Sequence, residues 1–275
     1  MNTEIFSIKS KNGYNLLFTL FKHDSNTPKN ATILIAPAMA VLQRYYRSFA
    51  EYLSLKGYNV ITFDYLGIGE SKIDIYDNTI TYEDWAKYDI TFLIDWIEQN
   101  LQTKIYYIAH SAGGQLLGLS PSAKKLNKIF IISSGIGYWK NWPFPKKYFY
   151  FISWYLFYPA ILKLYGYSPK FAMGEIVPKS IMKQWLIWAR KKKFVLGDSS
   201  IQTYYEEIST DIEFIAFSDD TYSPYKNSKE LASFYSSAKL NFHLLKPKEF
   251  KLKSIGHFGF FRSKYKDTLW PLLNL

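Results

Sequence analysis

Ser111 ends an apolar run and is enclosed by small residues, in the sequence Ile-Ala-His-Ser-Ala-Gly-Gly at 108–114. A strand that turns sharply into a helix at such a serine presents the hydroxyl above a sheet, where it can attack a carbonyl carbon. The turn is crowded, so the residues two before and two after the serine must be small. The two residues are Ala109 and Gly113. The common pattern G-x-S-x-G has glycine at both positions, so Ala109 departs from it. The spacing predicts a nucleophilic Ser111.

A serine hydroxyl needs a general base, and histidine is the usual one. His110 adjoins the serine in sequence, so its side chain is expected to point elsewhere. His23 precedes the predicted sheet core, and His243 lies inside a predicted strand. His257 stands in the glycine-flanked loop Ile-Gly-His-Phe-Gly after the last predicted strand. A loop at that place can bring an imidazole to the serine, so His257 is the predicted base.

The base needs an acid that orients it, and two aspartates follow the predicted strand that ends at Phe217. Asp220 is favoured because it stands four residues before Pro224, which is predicted to open a helix. Asp219 is the alternative, since the geometry of the turn decides which carboxylate faces the histidine.

Attack on a carbonyl also creates an oxyanion that needs fixed hydrogen-bond donors. The N–H of Ala112 is one predicted donor. The second is predicted in the turn Pro-Ala-Met-Ala at 37–40, from Met39 or alternatively Ala38. Both donors belong to the backbone, so side-chain types say little about them.

Apolar runs and turn signals place these residues on an alternating series of strands and helices. The predicted strands are 4–10, 14–22, 31–36, 59–63, 104–109, 128–133, 211–217 and 240–245. The predicted helices are 44–56, 82–100, a helix to about 236 with Ser223 as N-cap and Pro224 in its first turn, and 258–272. An Asn-Gly hairpin signal at 11–13 joins the first two strands. This pattern predicts an α/β fold with an eight-stranded, mostly parallel sheet flanked by helices.

Residues 135–206 interrupt the alternation, being rich in aromatic residues and without a clear strand. We predict a helical cap inserted into a core of 1–134 and 207–275, with Tyr138 and Trp139 as candidate substrate contacts. The uncharged stretch 148–162 would be about 22 Å long as a helix, too short for a hydrocarbon core of about 30 Å. Between the two remaining interpretations, a helix lining an acyl pocket is favoured over an interfacial helix with flanking lysines at headgroup level.

Composition limits the partners. The chain contains 48% hydrophobic and 21% charged residues and no cysteine, which excludes disulfides, a cysteine nucleophile and thiolate metal sites. The first five residues lack the features of a signal peptide, so a cytoplasmic protein is expected. The net charge of +11 is dispersed apart from the run 190–193, and no nucleic-acid-binding motif accompanies it. No metal site, cofactor or nucleic-acid partner is predicted.

With these residues placed, the chain resembles the α/β-hydrolase superfamily over essentially its full length. The elbow at 109–114, Ser-Asp-Asp-x-x-x-Pro at 218–224 and Gly-His-Phe at 256–258 stand in the family's order. The segment 64–71 is similar to the family loop D-x-R-G-x-G-x-S, with Leu66 in place of the arginine. Segments 37–46, 114–119, 134–139 and 255–262 are similar to a group of uncharacterised bacterial predicted α/β hydrolases.

The resemblance implies a cofactor-independent serine hydrolase acting on a small-molecule ester, thioester or amide. An acyltransferase that uses the same three side chains is an alternative. A non-catalytic protein that binds a ligand or a membrane surface is another.

Overall fold

The computed structural model describes residues 2–10, 13–23 and 25–275. The hairpin signal at 11–13 lies partly outside them, because Lys11 and Asn12 are not among the described residues. The strands on its two sides pair antiparallel, with Lys9 opposite Asn15.

In the described part of the chain, eight strands form one sheet in the order β1-β2-β4-β3-β5-β6-β9-β10. They are β1 Thr3–Lys9, β2 Asn15–Phe21, β3 Ala31–Ala36, β4 Asn59–Phe63, β5 Lys104–His110, β6 Lys128–Ile132, β9 Ile212–Phe217 and β10 Leu240–Leu245. β2 pairs antiparallel with both β1 and β4, and the remaining neighbours are parallel. The predicted eight-stranded, mostly parallel sheet is confirmed.

Successive residues of the central strands face opposite sides of the sheet, and both sides are covered. In β3, Leu34 joins one apolar cluster, and Ile33 and Ile35 join the other. All six residues of β3 are buried as a result, which explains its continuous apolar sequence. The carboxyl ends of these parallel strands meet at one edge, where β5 leads into Ser111.

Helices flank the sheet. Their bounds are α1 Arg47–Leu55, α2 Thr91–Asn100, α3 Ala112–Leu116, α4 Lys146–Ile152, α5 Tyr158–Tyr165, α6 Lys170–Met173, α7 Lys179–Ala189 and α8 Tyr225–Ala232. The predicted helix 44–56 starts as a 3-10 turn over Gln43–Tyr46. The predicted helix 82–100 starts as a π-helical turn over Trp85–Ile90. At its start, the Asp84 carboxylate accepts hydrogen bonds from both the N–H and the hydroxyl of Thr81.

The prediction of a last helix over 258–272 was wrong. The chain forms two short 3-10 turns instead, Ser263–Tyr265 and Trp270–Leu273. Pro271 has no N–H and cannot lie in the interior of an α-helix. The adjacent Phe260 and Phe261 are both buried, and the Trp270 indole donates to the Phe260 carbonyl at 2.7 Å.

The predicted start and end of α8 also need correction. Pro224 has an extended ψ of 156° and occupies the N-cap position, so the helix starts at Tyr225 and ends at Ala232. Ser223 does not act as the N-cap. Its N–H donates to Asp220 Oδ1 at 2.9 Å, which makes it part of the turn around that carboxylate.

The segment between β6 and β9 contains α4 to α7 and a small antiparallel pair, β7 Tyr167–Ser168 and β8 Val177–Pro178, that was not predicted. A π-helical turn, Ser153–Phe157, joins α4 directly to α5. The domain bounds 135–206 stay a prediction. Among the helices of the described residues, none is long and apolar enough to cross a membrane.

Candidate active site

Ser111 lies at a strained turn between β5 and α3. Its φ is 50° and its ψ is −106°, a combination that costs about 1–3 kcal/mol for a residue other than glycine. The turn brings the backbone of Gly113 against β3, where an added Cβ would lie 2.7 Å from the Ala36 carbonyl oxygen. The Ser134 hydroxyl donates to the Ser111 carbonyl at 2.5 Å and holds the turn from the other side. Strain of this kind is typical of functional positions.

The structure brings Ser111, His257 and Asp220 into one hydrogen-bonded chain. Ser111 Oγ lies 2.9 Å from His257 Nε2, and His257 Nδ1 lies 2.8 Å from Asp220 Oδ2. A carboxylate only accepts, so Nδ1 carries the proton and Nε2 is left to accept from the serine hydroxyl. The Asp220 side chain is fully buried and that of His257 nearly so, whereas Ser111 is half-buried. This arrangement can deprotonate a serine as it attacks.

The two aspartates after β9 bind different partners. The second oxygen of Asp220 accepts the N–H groups of Tyr222 and Ser223, which orients the carboxylate towards the imidazole. Asp219 Oδ2 instead accepts the N–H groups of Ile255 and Gly256, at 2.8 and 3.1 Å. Asp219 therefore anchors the loop that carries the histidine, and Asp220 contacts its ring.

His110 is buried directly behind this site. Its Nε2 donates to the carbonyl oxygen of His257 at 2.9 Å, and its Nδ1 accepts from the Tyr46 hydroxyl at 2.7 Å. The Tyr46 oxygen in turn accepts the N–H of Ala38 at 2.9 Å. Burial holds the pKa of His110 well below its usual range, so the ring is neutral. Sequence reasoning set His110 aside as a base and missed Tyr46, which no motif distinguishes from its neighbours.

The predicted oxyanion donors lie on the two turns beside the serine. The N–H of Ala112 is the first of α3, and the first N–H groups of a helix have no partner within it. On the other turn, the N–H of Ala38 is bonded to Tyr46, which favours the half-buried Met39 over its neighbour. That Met39 and Ala112 stabilise an oxyanion stays a prediction.

Aromatic side chains surround the turn that holds Asp220. The ring of Tyr222 lies 5.2 Å from that of His257. The indole of Trp142 and the hydroxyl of Tyr150 both donate to the Thr221 carbonyl oxygen at 2.8 Å. Burial raises the pKa of Tyr150 to about 12, so its hydroxyl stays protonated as this bond requires. The segment between β6 and β9 thus contacts the backbone next to Asp220.

Tyr138 and Trp139, the predicted substrate contacts, are half-buried at the start of that segment. The Trp139 ring packs against Phe151, with a centroid separation of 4.9 Å, and under the ammonium group of Lys140. These contacts describe packing, and a contact of Tyr138 or Trp139 with substrate stays a prediction.

The loop 64–71 keeps its turn without the arginine of the related motif. The Asp64 carboxylate accepts backbone N–H groups from Gln43 and Glu70, at 2.7 and 3.1 Å, while Leu66 is buried in the core. Burial raises the pKa of Asp64. The Ser71 hydroxyl donates to the Asp64 carbonyl oxygen and closes the loop.

Within the described ranges, no group of three or more His, Asp or Glu side chains could hold a metal ion.

Comparison with known proteins gives the same fold. Residues 33–148 match a family model described as alpha/beta hydrolase fold. Among curated proteins, an acyl transferase from Shewanella woodyi is 30% identical over 99 residues, which are 35% of this chain and 31% of that protein. The matched region thus spans about a third of the relative's length.

Solved structures are similar over nearly the whole chain. A soluble variant of monoglyceride lipase from Saccharomyces cerevisiae, in complex with a substrate analog, has a TM-score of 0.70 at 13% identity, covering 98% of this chain and 92% of that one. An esterase from Exiguobacterium antarcticum has a TM-score of 0.63 at 14% identity, covering 98% and 97%. At such identities the likeness concerns the fold. Together with the match to residues 33–148 and the observed sheet order, these matches show that the chain has the α/β-hydrolase fold, as its motifs predict.

Proposed function

We propose that the protein is a serine hydrolase that cleaves a small-molecule carboxylic ester, thioester or amide through an acyl-enzyme. The observation that carries the proposal is the chain of two hydrogen bonds from Ser111 through His257 to Asp220, at 2.9 and 2.8 Å. The three side chains come from three separate segments. Their alignment at the carboxyl edge of the sheet is the arrangement that nucleophilic serine catalysis needs.

In the first half-reaction, Ser111 Oγ attacks the acyl carbonyl carbon while His257 Nε2 takes the hydroxyl proton. The tetrahedral intermediate collapses, the bond to the leaving group breaks, and Nε2 gives its proton to the departing oxygen, sulfur or nitrogen. In the second, Nε2 takes a proton from water, whose oxygen attacks the acyl carbon. The bond between that carbon and Ser111 Oγ then breaks, Nε2 returns the proton to Oγ, and the acid is released. Asp220 stabilises the imidazolium formed in each half-reaction, because its carboxylate faces Nδ1.

The oxyanion formed in both steps would bind the N–H groups of Met39 and Ala112. Losing one such donor typically costs about 3 kcal/mol of transition-state stabilisation. The turn at Ser111 supports this role, since the first N–H of α3 belongs to the residue that directly follows the serine.

A fluorophosphonate probe tests the nucleophile. We expect it to label the wild-type protein at Ser111 and to leave Ser111→Ala unlabelled. Ser134→Ala is the matched control, because it removes a neighbouring hydroxyl that bonds the Ser111 backbone, and it should still be labelled. Folded wild-type protein that resists the probe would contradict the proposal. A panel of p-nitrophenyl esters of graded chain length would then define the acyl group.

An acyltransferase is the second candidate, favoured by the 99-residue match to a protein named as an acyl transferase. The same acyl-enzyme would form, and an alcohol or amine would replace water in the second half-reaction. Product analysis in the presence of competing acceptors separates the two. If acylated acceptor exceeds free acid at millimolar acceptor, transfer is the main reaction.

A further inference from the structure

The helical segment 146–165, formed by α4, the π-helical turn and α5, buries one side against the molecule. Tyr150, Trp154 and Tyr158 recur at four-residue intervals on that side and are all buried. Each directs its polar atom to a backbone carbonyl: Tyr150 to Thr221, the Trp154 indole to Gly137 at 2.9 Å, and Tyr158 to Ala172 at 3.0 Å. These bonds determine which side of the segment faces outward.

The outward side is apolar. Phe149, Ile152 and Leu156 are 66%, 53% and 62% exposed, and their spacing of three and four residues places them along one stripe. Tyr148 and Leu164 are also exposed and extend the stripe at its two ends. We call these five residues the apolar face. A surface helix of a globular protein normally carries polar residues on its outer side. An exposed apolar patch of this kind is typical of an interaction site.

The surroundings of the apolar face are basic. From residue 99 to residue 174 the sequence contains no aspartate or glutamate. Lys146 and Lys147 stand at the start of the segment and Lys163 near its end. Cations in the first turn of a helix oppose its dipole, so the first two lysines do not serve to stabilise the helix. An apolar stripe with cations at both ends is complementary to the acyl chains and phosphates of an anionic bilayer surface.

From this arrangement we propose that the apolar face docks the protein on anionic membranes, with the segment lying parallel to the surface. Twenty helical residues extend about 30 Å, and this length would lie in the boundary between headgroups and acyl chains. The lysines at both ends would contact lipid phosphates. A second copy of the chain fits less well, because pairing two such faces would bring lysines of like charge together. The proposal does not depend on the proposed hydrolase activity.

Vesicle co-sedimentation of the full chain tests the proposal. We expect binding to vesicles of phosphatidylcholine with phosphatidylglycerol, and weaker binding to phosphatidylcholine alone. The double variant Phe149→Ser, Leu156→Ser should weaken binding to the anionic vesicles by about tenfold or more, because it removes two exposed apolar groups from the face. The matched control is Ile5→Ser, Leu55→Ser, which replaces exposed apolar residues elsewhere on the surface and should bind as the wild type does.

A second variant, Lys146→Glu, Lys147→Glu, keeps the apolar face and should lose the preference for anionic over neutral vesicles. The melting temperature of each variant is measured and must equal that of the wild type, so that unfolding does not imitate a loss of binding. Wild-type protein that fails to bind anionic vesicles, or double variants that bind like their control, would overturn the proposal. So would a dimer in analytical ultracentrifugation that Phe149→Ser, Leu156→Ser abolishes while vesicle binding is unchanged, since the face would then be a contact between copies.

Discussion

His110 and His257 meet through one hydrogen bond, which the Nε2 atom of the buried His110 ring donates to the carbonyl oxygen of His257, 2.9 Å away. The tautomer this requires leaves Nδ1 free to accept from Tyr46, whose oxygen accepts the N–H of Ala38. The buried side chains of His110 and Tyr46 thus connect the backbone of His257, the proposed base, with the turn that carries the proposed oxyanion donor. The hydroxyl of Tyr45 also donates to the carbonyl of Phe258 and holds the same loop.

Tyr46→Phe tests this connection. The variant leaves the Ala38 N–H and the His110 ring nitrogen without their partner, and each unsatisfied buried group costs about 1–3 kcal/mol. We expect the free energy of unfolding in urea to fall by at least that amount, and kcat to fall more than KM rises, because substrate binding groups are untouched. Tyr148→Phe, which alters an exposed tyrosine, should match the wild type. Equal stability of Tyr46→Phe and the control would show that the network contributes nothing.

The depressed pKa of His110 predicts a pH dependence of stability. An unfolded histidine takes up a proton near pH 6.5, while the buried ring does not, so the unfolded state binds more protons below that pH. The contribution of His110 to the free energy of unfolding is therefore complete above about pH 6.5. It is lost as the pH falls towards the pKa of His110 in the folded state. The slope is at most about 1.4 kcal/mol per pH unit. His110→Gln should show a shallower fall between pH 6.5 and 5 in urea titrations, and parallel curves would refute the assignment.

Asp89 predicts the opposite dependence. Burial raises its pKa well above 3.8, so the folded state retains a proton that the unfolded state releases. Its contribution is complete below pH 3.8 and is lost as the pH rises through the folded-state value. Asp89→Asn keeps an oxygen for the Leu66 N–H, which is bonded at 2.9 Å, and removes the charge. We expect the variant to gain stability relative to wild type with rising pH in urea titrations, with the exposed Asp267→Asn as the matched control.

Replacing each of the two aspartates after β9 by asparagine should lower kcat to different extents. Asp220→Asn removes the acceptor that selects the productive tautomer of His257, and a change of this kind lowers kcat by about 10⁴-fold in a serine protease triad. Asp219→Asn keeps that acceptor and loosens the loop at Ile255 and Gly256. We expect a loss of at most about 100-fold in kcat, together with lower stability because one charged acceptor is removed. A larger kcat loss for Asp219→Asn than for Asp220→Asn would reverse the two assignments.

Local patterns in the sequence were sufficient for the sheet and for the candidate triad residues. The central parallel strands, such as β3, are buried on both faces and so read as nearly continuous apolar runs. The crowded turn at Ser111 requires small neighbours at 109 and 113. The region 258–272 was misread as a helix because its apolar residues are numerous. The burial of individual residues in this region depends on how they pack against the sheet and α1. A local repeat in the sequence does not show that packing.

Tertiary structure alone decided the remaining features. Asp219 and Asp220 are adjacent in the sequence and have the same side chain. The geometry of one turn gives their carboxylates different hydrogen-bond partners. Tyr46 and His110 are 64 positions apart, and their contact follows from how β3, α1 and β5 pack. The apolar segment 148–162 could have been buried on all sides. Its exposure follows from one side being held by Thr221, Gly137 and Ala172, because hydrogen bonds to distant backbone determine the rotation of a helix that is apolar all round.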